Sequence, residues 1–324
     1  MRCLALLSGG LDSILAVKVV QAQGVEVTGL CFVTPFFGPG AARKAAKQLG
    51  ITLIEHDFTD AYFEMMKAPR YGFGGNMNPC IDCHGLMMKT AHGMLDRHGA
   101  SFLITGEVLG ERPMSQTRSG LNAVLKLAAD RDLVLRPLSA KLLDPTKPER
   151  EGWVDREKLL GLSGRGRKPQ EELARQYGIA DYPQPAGGCL LTDVKFSRRL
   201  KDLLAHEGLV RHDIELLKLG RHFRLDRRTK LVVGRNQSEN ERLLAARLAG
   251  DIVLRPPLEV KGPVGLLRGP AGEQTRSLAA MIFSRYCDRA AGQQLAVNFS
   301  LPAGERAEIG AVKPDDDGIA RWMI

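Results

Sequence analysis

The 324-residue chain has no run approaching the roughly 18 to 20 uninterrupted apolar residues that a membrane helix needs. It shows no signal-peptide core either, because the opening apolar run CLALL, Cys3 to Leu7, stops at a Ser-Gly-Gly turn. A cytoplasmic protein is expected. Cysteine is sparse, with six residues at positions 3, 31, 80, 83, 189 and 287, and in a chain of this length without a secretion signal these do not make a disulfide framework. No repeat of fixed period is visible. With 44% hydrophobic and 26% charged residues, the composition is that of a folded globular protein and leaves little room for long disorder.

The length favours two domains. The net charge of +9 and pI near 9.3 suit a polyanionic partner such as nucleic acid, although ordinary solubilising charge produces the same excess. Apolar runs at Cys3–Leu7, Val25–Val33, Ile51–Phe58, Ser101–Thr105 and Leu133–Leu138 alternate with helical stretches such as SILAVKVVQAQG and AARKAAKQLG. This order predicts an α/β domain, a doubly wound parallel sheet whose ligands sit at the carboxyl ends of the strands. Residues 142 to 185 mix Pro, Gly and charge and read as a connection carrying short helices. The pattern then changes to helix, hairpin, helix, strand, helix and strand, giving a first domain over 1–190 and a smaller C-terminal α+β domain over 191–324.

Three motifs carry chemistry. In LSGGLDS, Leu7 to Ser13, a strand ends, a turn follows and a helix begins. Gly9 and Gly10 let main-chain N–H groups approach an anion, Ser8 and Ser13 add hydroxyls, and the helix start near Asp12 points its positive end at the same place. The loop matches neither G-x-x-x-x-G-K-[ST] nor G-x-G-x-x-G. In NPCIDCHG, Cys80 and Cys83 stand three apart ahead of a predicted helix, and Cys189 follows PAGG about a hundred residues later. Cys3, Cys31 and Cys287 lie in apolar surroundings and read as core. Thiols three apart can ligate a metal or form a redox pair. Zinc is under-provided, since no second C-x-x-C exists and His84 or His92 would have to complete the site. Three cysteines suit a [4Fe-4S] cluster with one open iron. The third motif is TGEVLGERPMSQT, Thr105 to Thr117, placed after a strand and so on the ligand face.

SGGLDS resembles the pyrophosphate loop of the ATP pyrophosphatase (PP-loop) superfamily, adenine nucleotide alpha hydrolase-like in fold, whose members cleave ATP between the α and β phosphates and adenylate a carbonyl. NPCIDCHG is similar to the N-P-D-x-x-C-N segment of tRNA 2-thiouridylases. That likeness makes Cys83 and Cys189 the matching catalytic pair, with Cys80 in place of the usual Asp. TGEVLGERPMSQT resembles T-G-E-S-x-G-Q-x-x-S-Q-T of tRNA 4-thiouridine synthetases at Thr105, Gly106, Glu107, Gly110, Ser115, Gln116 and Thr117. These resemblances, over residues 1 to 192, imply an ATP-dependent tRNA sulfurtransferase. In it Ser8, Gly9, Gly10, Asp12, Ser13, Thr105, Gly106 and Gln116 would bind ATP and Mg²⁺. Asp12, Cys80, Cys83 and Cys189 would be catalytic, the three thiols holding either a cluster or a persulfide relay.

The implied partners are tRNA and a sulfur donor, either a cysteine desulfurase or free sulfide; a homodimer stays open. The pyrophosphate loop begins at residue 8, which leaves no room for the N-terminal RNA-binding extension of the 4-thiouridine enzymes, so RNA would be gripped elsewhere. RHFRLDRRTK supplies Arg221, Arg224, Arg227, Arg228 and Lys230 for phosphates, with Phe223 to stack on a base. A solvated hairpin explains the same charges. The surrounding GRHFRL…KLVVGRNQSENERLL is similar to an RNA-binding module of ribosome-quality-control factors. The rival readings are another adenylating enzyme, amide-forming or nitrile-forming, and an RNA-binding protein without ATP cleavage.

Overall fold

The computed structural model describes every residue except 185–188, 289–291, 303 and 316. The chain divides into two compact units, Met1–Thr192 and Asp193–Ile324. In the first, the strands are β1 (Arg2–Leu6), β2 (Glu26–Val33), β3 (Leu53–Asp57), β4 (Phe102–Thr105) and β5 (Val134–Leu135). They form one sheet in the order β3-β2-β1-β4-β5 with every pairing parallel. Cys3, Leu4 and Ala5 of β1 are all buried, as a strand covered on both faces requires. Strand order reverses between β1 and β4, so the carboxyl ends of these two strands flank the switch-point crevice where ligands of such sheets bind. The last strand is shorter than its apolar run, because Pro137 has no N–H for a ladder.

The helices follow the burial each side needs. Helix α1 (Leu11–Gln21) buries residues all round, Leu11, Ile14, Leu15, Val17 and Val19 among them, which places it inside the domain. Helix α2 (Gly40–Leu49) buries only Ala42, Ala45, Ala46 and Leu49, one face at helical spacing, and ends at Gly50 with φ 66°. Helices α3 (Thr59–Lys67), α4 (Cys80–His92) and α5 (Arg118–Leu127) follow, then the short α6 (Lys147–Arg150) and α7 (Lys168–Gln176) in the predicted connection.

The second unit holds helices α8 (Val194–His206), α9 (Arg211–Leu217), α10 (Gln237–Ala245) and α11 (Glu273–Ser284). Its strands are β6 (Arg221–Arg224), β7 (Lys230–Val233), β8 (Ile252–Arg255), β9 (Gly265–Arg268), β10 (Gln294–Ser300) and β11 (Arg306–Val312). They form an antiparallel sheet ordered β11-β10-β8-β9-β7-β6, packed on Ala279, Ala280, Ile282 and Phe283 of α11. No described helix is long and apolar enough to cross a membrane.

Gly9 has φ 82°, and a Cβ there would lie 2.3 Å from the backbone carbonyl carbon of Ala41 in α2. The turn and the helix therefore touch backbone to backbone, which only glycine permits. Gly9→Ala should lower the stability of the first domain by at least about 2 kcal/mol, through left-handed strain plus the clash. An unchanged midpoint in urea or thermal unfolding would contradict this.

Candidate active site

The loop after β1 closes on itself through its own hydroxyls. Ser8 Oγ donates to Ser13 Oγ at 3.3 Å, Ser13 Oγ donates to the Gly10 carbonyl at 2.8 Å, and Gly10 N–H donates to Ser8 Oγ at 3.3 Å. Gly10 caps α1 without a side-chain bond, and Asp12 sits in the first turn, so the helix N-terminus keeps its anion-attracting end. Asp12 Oδ1 is buried without a hydrogen-bond partner, and so are Glu111 Oε2, Gln116 Oε1, Arg167 Nε and Gln170 Oε1. Burial raises the Asp12 carboxyl above its usual range, against the pull of Arg167 and Arg112. Burial and then the Asp12 charge raise Glu111. Two carboxylates with unpaired oxygens beside an anion cradle fit a divalent cation shared with phosphate oxygens, so these residues suit Mg²⁺. Sequence reasoning found Asp12 and Gln116; it passed over Glu111 and Arg112, unmatched positions inside the TGEVLGERPMSQT stretch, and missed Arg167 and Gln170, which belong to no motif and gather only through the fold.

The thiols gather at the N-terminus of α4. Cys80 and Cys83 occupy its first turn at i and i+3, hence on one face. The electrostatic neighbours of the Cys83 thiol include Cys189 first and Cys80 next, so the three sulfurs share one neighbourhood. Burial, then these thiols, push Cys83 up; the Tyr62 hydroxyl, hydrogen-bonded to it, acts the other way. Burial also raises Cys189. Tyr62 is fully buried in α3, and no sequence signal marked it out. Polar tethers fix the segments. Asn78 Nδ2 donates to Cys80 Sγ at 3.2 Å, and Asn76 Nδ2 donates to the Thr192 carbonyl at 2.9 Å. Thr192 Oγ1 in turn donates to the Cys189 carbonyl at 2.7 Å. Asp82 is buried and accepts from the Arg70 and Tyr71 N–H groups at 2.8 and 2.9 Å, anchoring the approach loop. The PAGG run at 185–188 lies outside the described residues. Among the described residues, no three His, Cys, Asp or Glu side chains are gathered for a metal ion. Three thiols without a fourth ligand still match in kind the donor set of a cluster with one open iron. Cys3, Cys31 and Cys287 are buried, and burial raises all three, to about 12, 11 and 12.

In the second unit the structure corrects part of the proposed RNA contact. Phe223 is 0% exposed and packs in the core, so it has no face to offer a base. Lys230 is 2% exposed, its Nζ 3.3 Å from Glu207 and 3.6 Å from Asp213. Arg224 pairs with Glu207 at 2.7 Å and with Asp202. Their charges answer acids on and just beyond α8 and on α9 that a local count of the hairpin could not see. Arg227 and Arg228 are exposed in the turn. Arg221 is partly exposed, its guanidinium 4.6 Å from the Tyr286 ring centre.

The end of β4 joins loop and thiols in the first unit. A Cβ on Gly106 would lie 2.4 Å from Ser13 N, so this residue lies directly against the pyrophosphate loop. The next residue, Glu107, binds His84 Nδ1 of the cysteine helix at 2.8 Å and accepts from Arg136 Nε at 2.8 Å. Thr105 Oγ1 also donates to Glu107, at 3.2 Å, which commits the hydroxyl to positioning that carboxylate. Burial alone would raise Glu107, but Arg136 and then His84 outweigh it and hold the carboxyl at about 2. A depressed carboxyl stabilises the fold above its ordinary pKa of 4.5 and loses that contribution as pH falls toward 2. Glu107→Gln strands the buried Arg136 charge and should cost about 3–5 kcal/mol near neutral pH. It should also flatten the acid limb of stability between these two values, which unfolding at stepped pH would read.

Family models match two parts of the chain: the thiamine biosynthesis protein (ThiI) model over residues 1–142 and the NFACT protein RNA binding domain over 220–323. A tRNA-specific 2-thiouridylase MnmA of Methylobacterium nodulans is 27% identical over 251 residues, 68% of this chain and 60% of that protein. A probable tRNA sulfurtransferase of Methanosarcina mazei is 30% identical over 130 residues, 38% of this chain and 31% of that one. The chain thus spans from about a third to three-fifths of these curated relatives. Among solved structures, the U34-tRNA thiolase NcsA from Methanococcus maripaludis with its [4Fe-4S] cluster is 15% identical, covering 67% of this chain and 72% of that chain at a TM-score of 0.33. By its loop, its sheet and these sequence matches, the first unit is similar to the ThiI family over residues 1–142 and to tRNA thiouridylases and sulfurtransferases.

Proposed function

We propose that this protein is an ATP-dependent tRNA thiouridine synthetase, and the observation that carries the reading is that Cys80 and Cys83, with Cys189 among the electrostatic neighbours of Cys83, begin a helix that Glu107 ties to the loop after β1 through Gly106. Oxide is a poor leaving group, so a uridine carbonyl oxygen first attacks the α-phosphorus of ATP and displaces pyrophosphate. The cradle from Ser8 to Ser13 holds that pyrophosphate, with Asp12 and Glu111 placed for Mg²⁺. A sulfur nucleophile then adds to the activated carbon, and AMP departs with the former carbonyl oxygen.

Two sulfur chemistries fit the thiols. Cys80, Cys83 and Cys189 would hold a [4Fe-4S] cluster, which when bound supplies an iron with an open position for hydrosulfide. Alternatively, one cysteine carries a persulfide and a second releases it by forming a disulfide, which an external thiol must then reduce. A relay needs two cysteines and this site has three, which favours the cluster. In the second domain, the NFACT RNA-binding likeness and the chain's net charge of +9 support a role in holding the tRNA. Free sulfide would supply hydrosulfide in the cluster route, and a cysteine desulfurase, whose sulfur is already at the persulfide level, would supply the relay by transfer to a thiolate.

Anaerobic purification with iron and acid-labile sulfide analysis tests the site. About four irons and four sulfides per chain are expected, lost in Cys80→Ala, Cys83→Ala and Cys189→Ala. A parent chain that stays iron-free after reconstitution rules out the cluster. The same three variants should lose tRNA thiolation yet keep tRNA-dependent pyrophosphate release, whereas Asp12→Ala should lose both by more than about a hundredfold. Pyrophosphate release indifferent to tRNA would point to a different adenylating enzyme.

A further inference from the structure

The second unit contains an open cavity of about 590 Å³ that does not include the turn bearing Arg227 and Arg228, lined from the β6 start, the β7–α10 junction, residues 261–263, 285–288 and Lys313. Five cations line it, Arg221, Arg235, Lys261, Arg285 and Lys313, with Asp288 the one lining acid; Arg235 is paired with Glu239 of α10, while Arg221 lies on Tyr286 and Lys261 is exposed. Two asparagines and a glutamine at the start of α10 add neutral donors and acceptors. The Tyr286 ring forms part of the wall, with the Arg221 guanidinium 4.6 Å from its centre. Planar guanidinium on an aromatic ring is a platform on which a nucleobase can continue the stack, and arginine forks suit phosphate oxygens.

Resting on the reading of this domain as RNA-binding, we propose that the cavity is where it holds RNA, and that it takes one or two unpaired nucleotides. Cavities of about 300–1,000 Å³ enclose ligands of drug size, the scale of a nucleotide or two, whereas a helical stem cannot enter one. The cations compensate phosphate charge, the Arg221–Tyr286 pair receives a base, and the amides read its edge. The hairpin cannot make this contact alone, because Arg224 and Lys230 are already neutralised by Glu207 and its neighbours.

The test measures fluorescence anisotropy of the full chain with a labelled single-stranded pentaribonucleotide and with the same sequence in a duplex stem. The parent should prefer the single strand. Lys261→Glu with Arg285→Glu should weaken it about tenfold, and the log–log slope of affinity against salt should fall by about 0.7 for each phosphate that is no longer neutralised. Arg227→Glu with Arg228→Glu, the same charge change in the turn, should cost less than about twofold. Matching thermal melts confirm folding, and Lys261→Glu alone, at an exposed position, stands in if the double variant melts early. Equal losses in both pairs, or a preference for the duplex, overturn the cavity assignment while leaving thiolation intact. Single-strand binding through the cavity in a chain that fails to thiolate tRNA overturns the proposed activity and leaves the cavity standing. A parent that binds no RNA overturns both.

Discussion

The arrangement of the first domain depends on one contact, the approach of Gly106 to the backbone of Asp12 and Ser13. Parallel pairing of β1 and β4 brings the two strand ends side by side, but a side chain at position 106 would hold them apart. With glycine there, the next residue is carried to a fixed place, and Glu107 can reach His84 on the cysteine helix and Arg136 beyond β5. A phosphate-binding turn and a thiol-bearing helix are thereby tied through two consecutive residues. Because Glu107 is buried, it keeps this role only while its charge is matched.

Charge has opposite meanings in two parts of the second domain. Around Lys230, Arg268 and Arg224 it is internal: Arg268 bridges Asp213 at 2.7 Å and Asp251 at 2.6 Å, and removing one member would strand the others. Around the cavity, five cations face one acid. Net charge counts both groups equally, although the first is matched by neighbouring acids and the second lies at an open cavity. That is why a basic sequence stretch and a basic surface can be different residues.

The sheet was legible because its strands are short apolar runs separated by helices with clear stops, as at Gly50. The loop from Ser8 to Ser13 and the Cys80–Cys83 pair could be singled out because the chemistry proposed for them depends on residue type at fixed local spacing, whereas Cys189 was picked out by a resemblance. What stayed hidden was of two kinds. Arg167 and Tyr62 carry no local pattern and reach the site only through tertiary folding, and Glu111, though inside a quoted motif, is not one of its matching positions. Phe223 and Lys230 carried a misleading pattern, since β6 and β7 are covered on both faces and a hairpin read in isolation does not show what covers it. Strands β9 and β11 and helix α9 went unread for the same reason: each is short, and its partners are distant in sequence.

The three thiols are assembled largely by polar tethers. Cys80 and Cys83 are placed by helix geometry, but Cys189 is itself exposed, two residues before the buried Leu191 that anchors its segment. Its position rests on Thr192, whose carbonyl accepts from Asn76 and whose hydroxyl donates to the Cys189 carbonyl. Hydrogen bonds of this kind contribute about 1 kcal/mol each, enough to favour one arrangement and too little to forbid another. The sulfur-carrying role we propose would benefit from that balance, because the exposed Cys189 is held by loop hydrogen bonds while Cys80 and Cys83 are built into a helix.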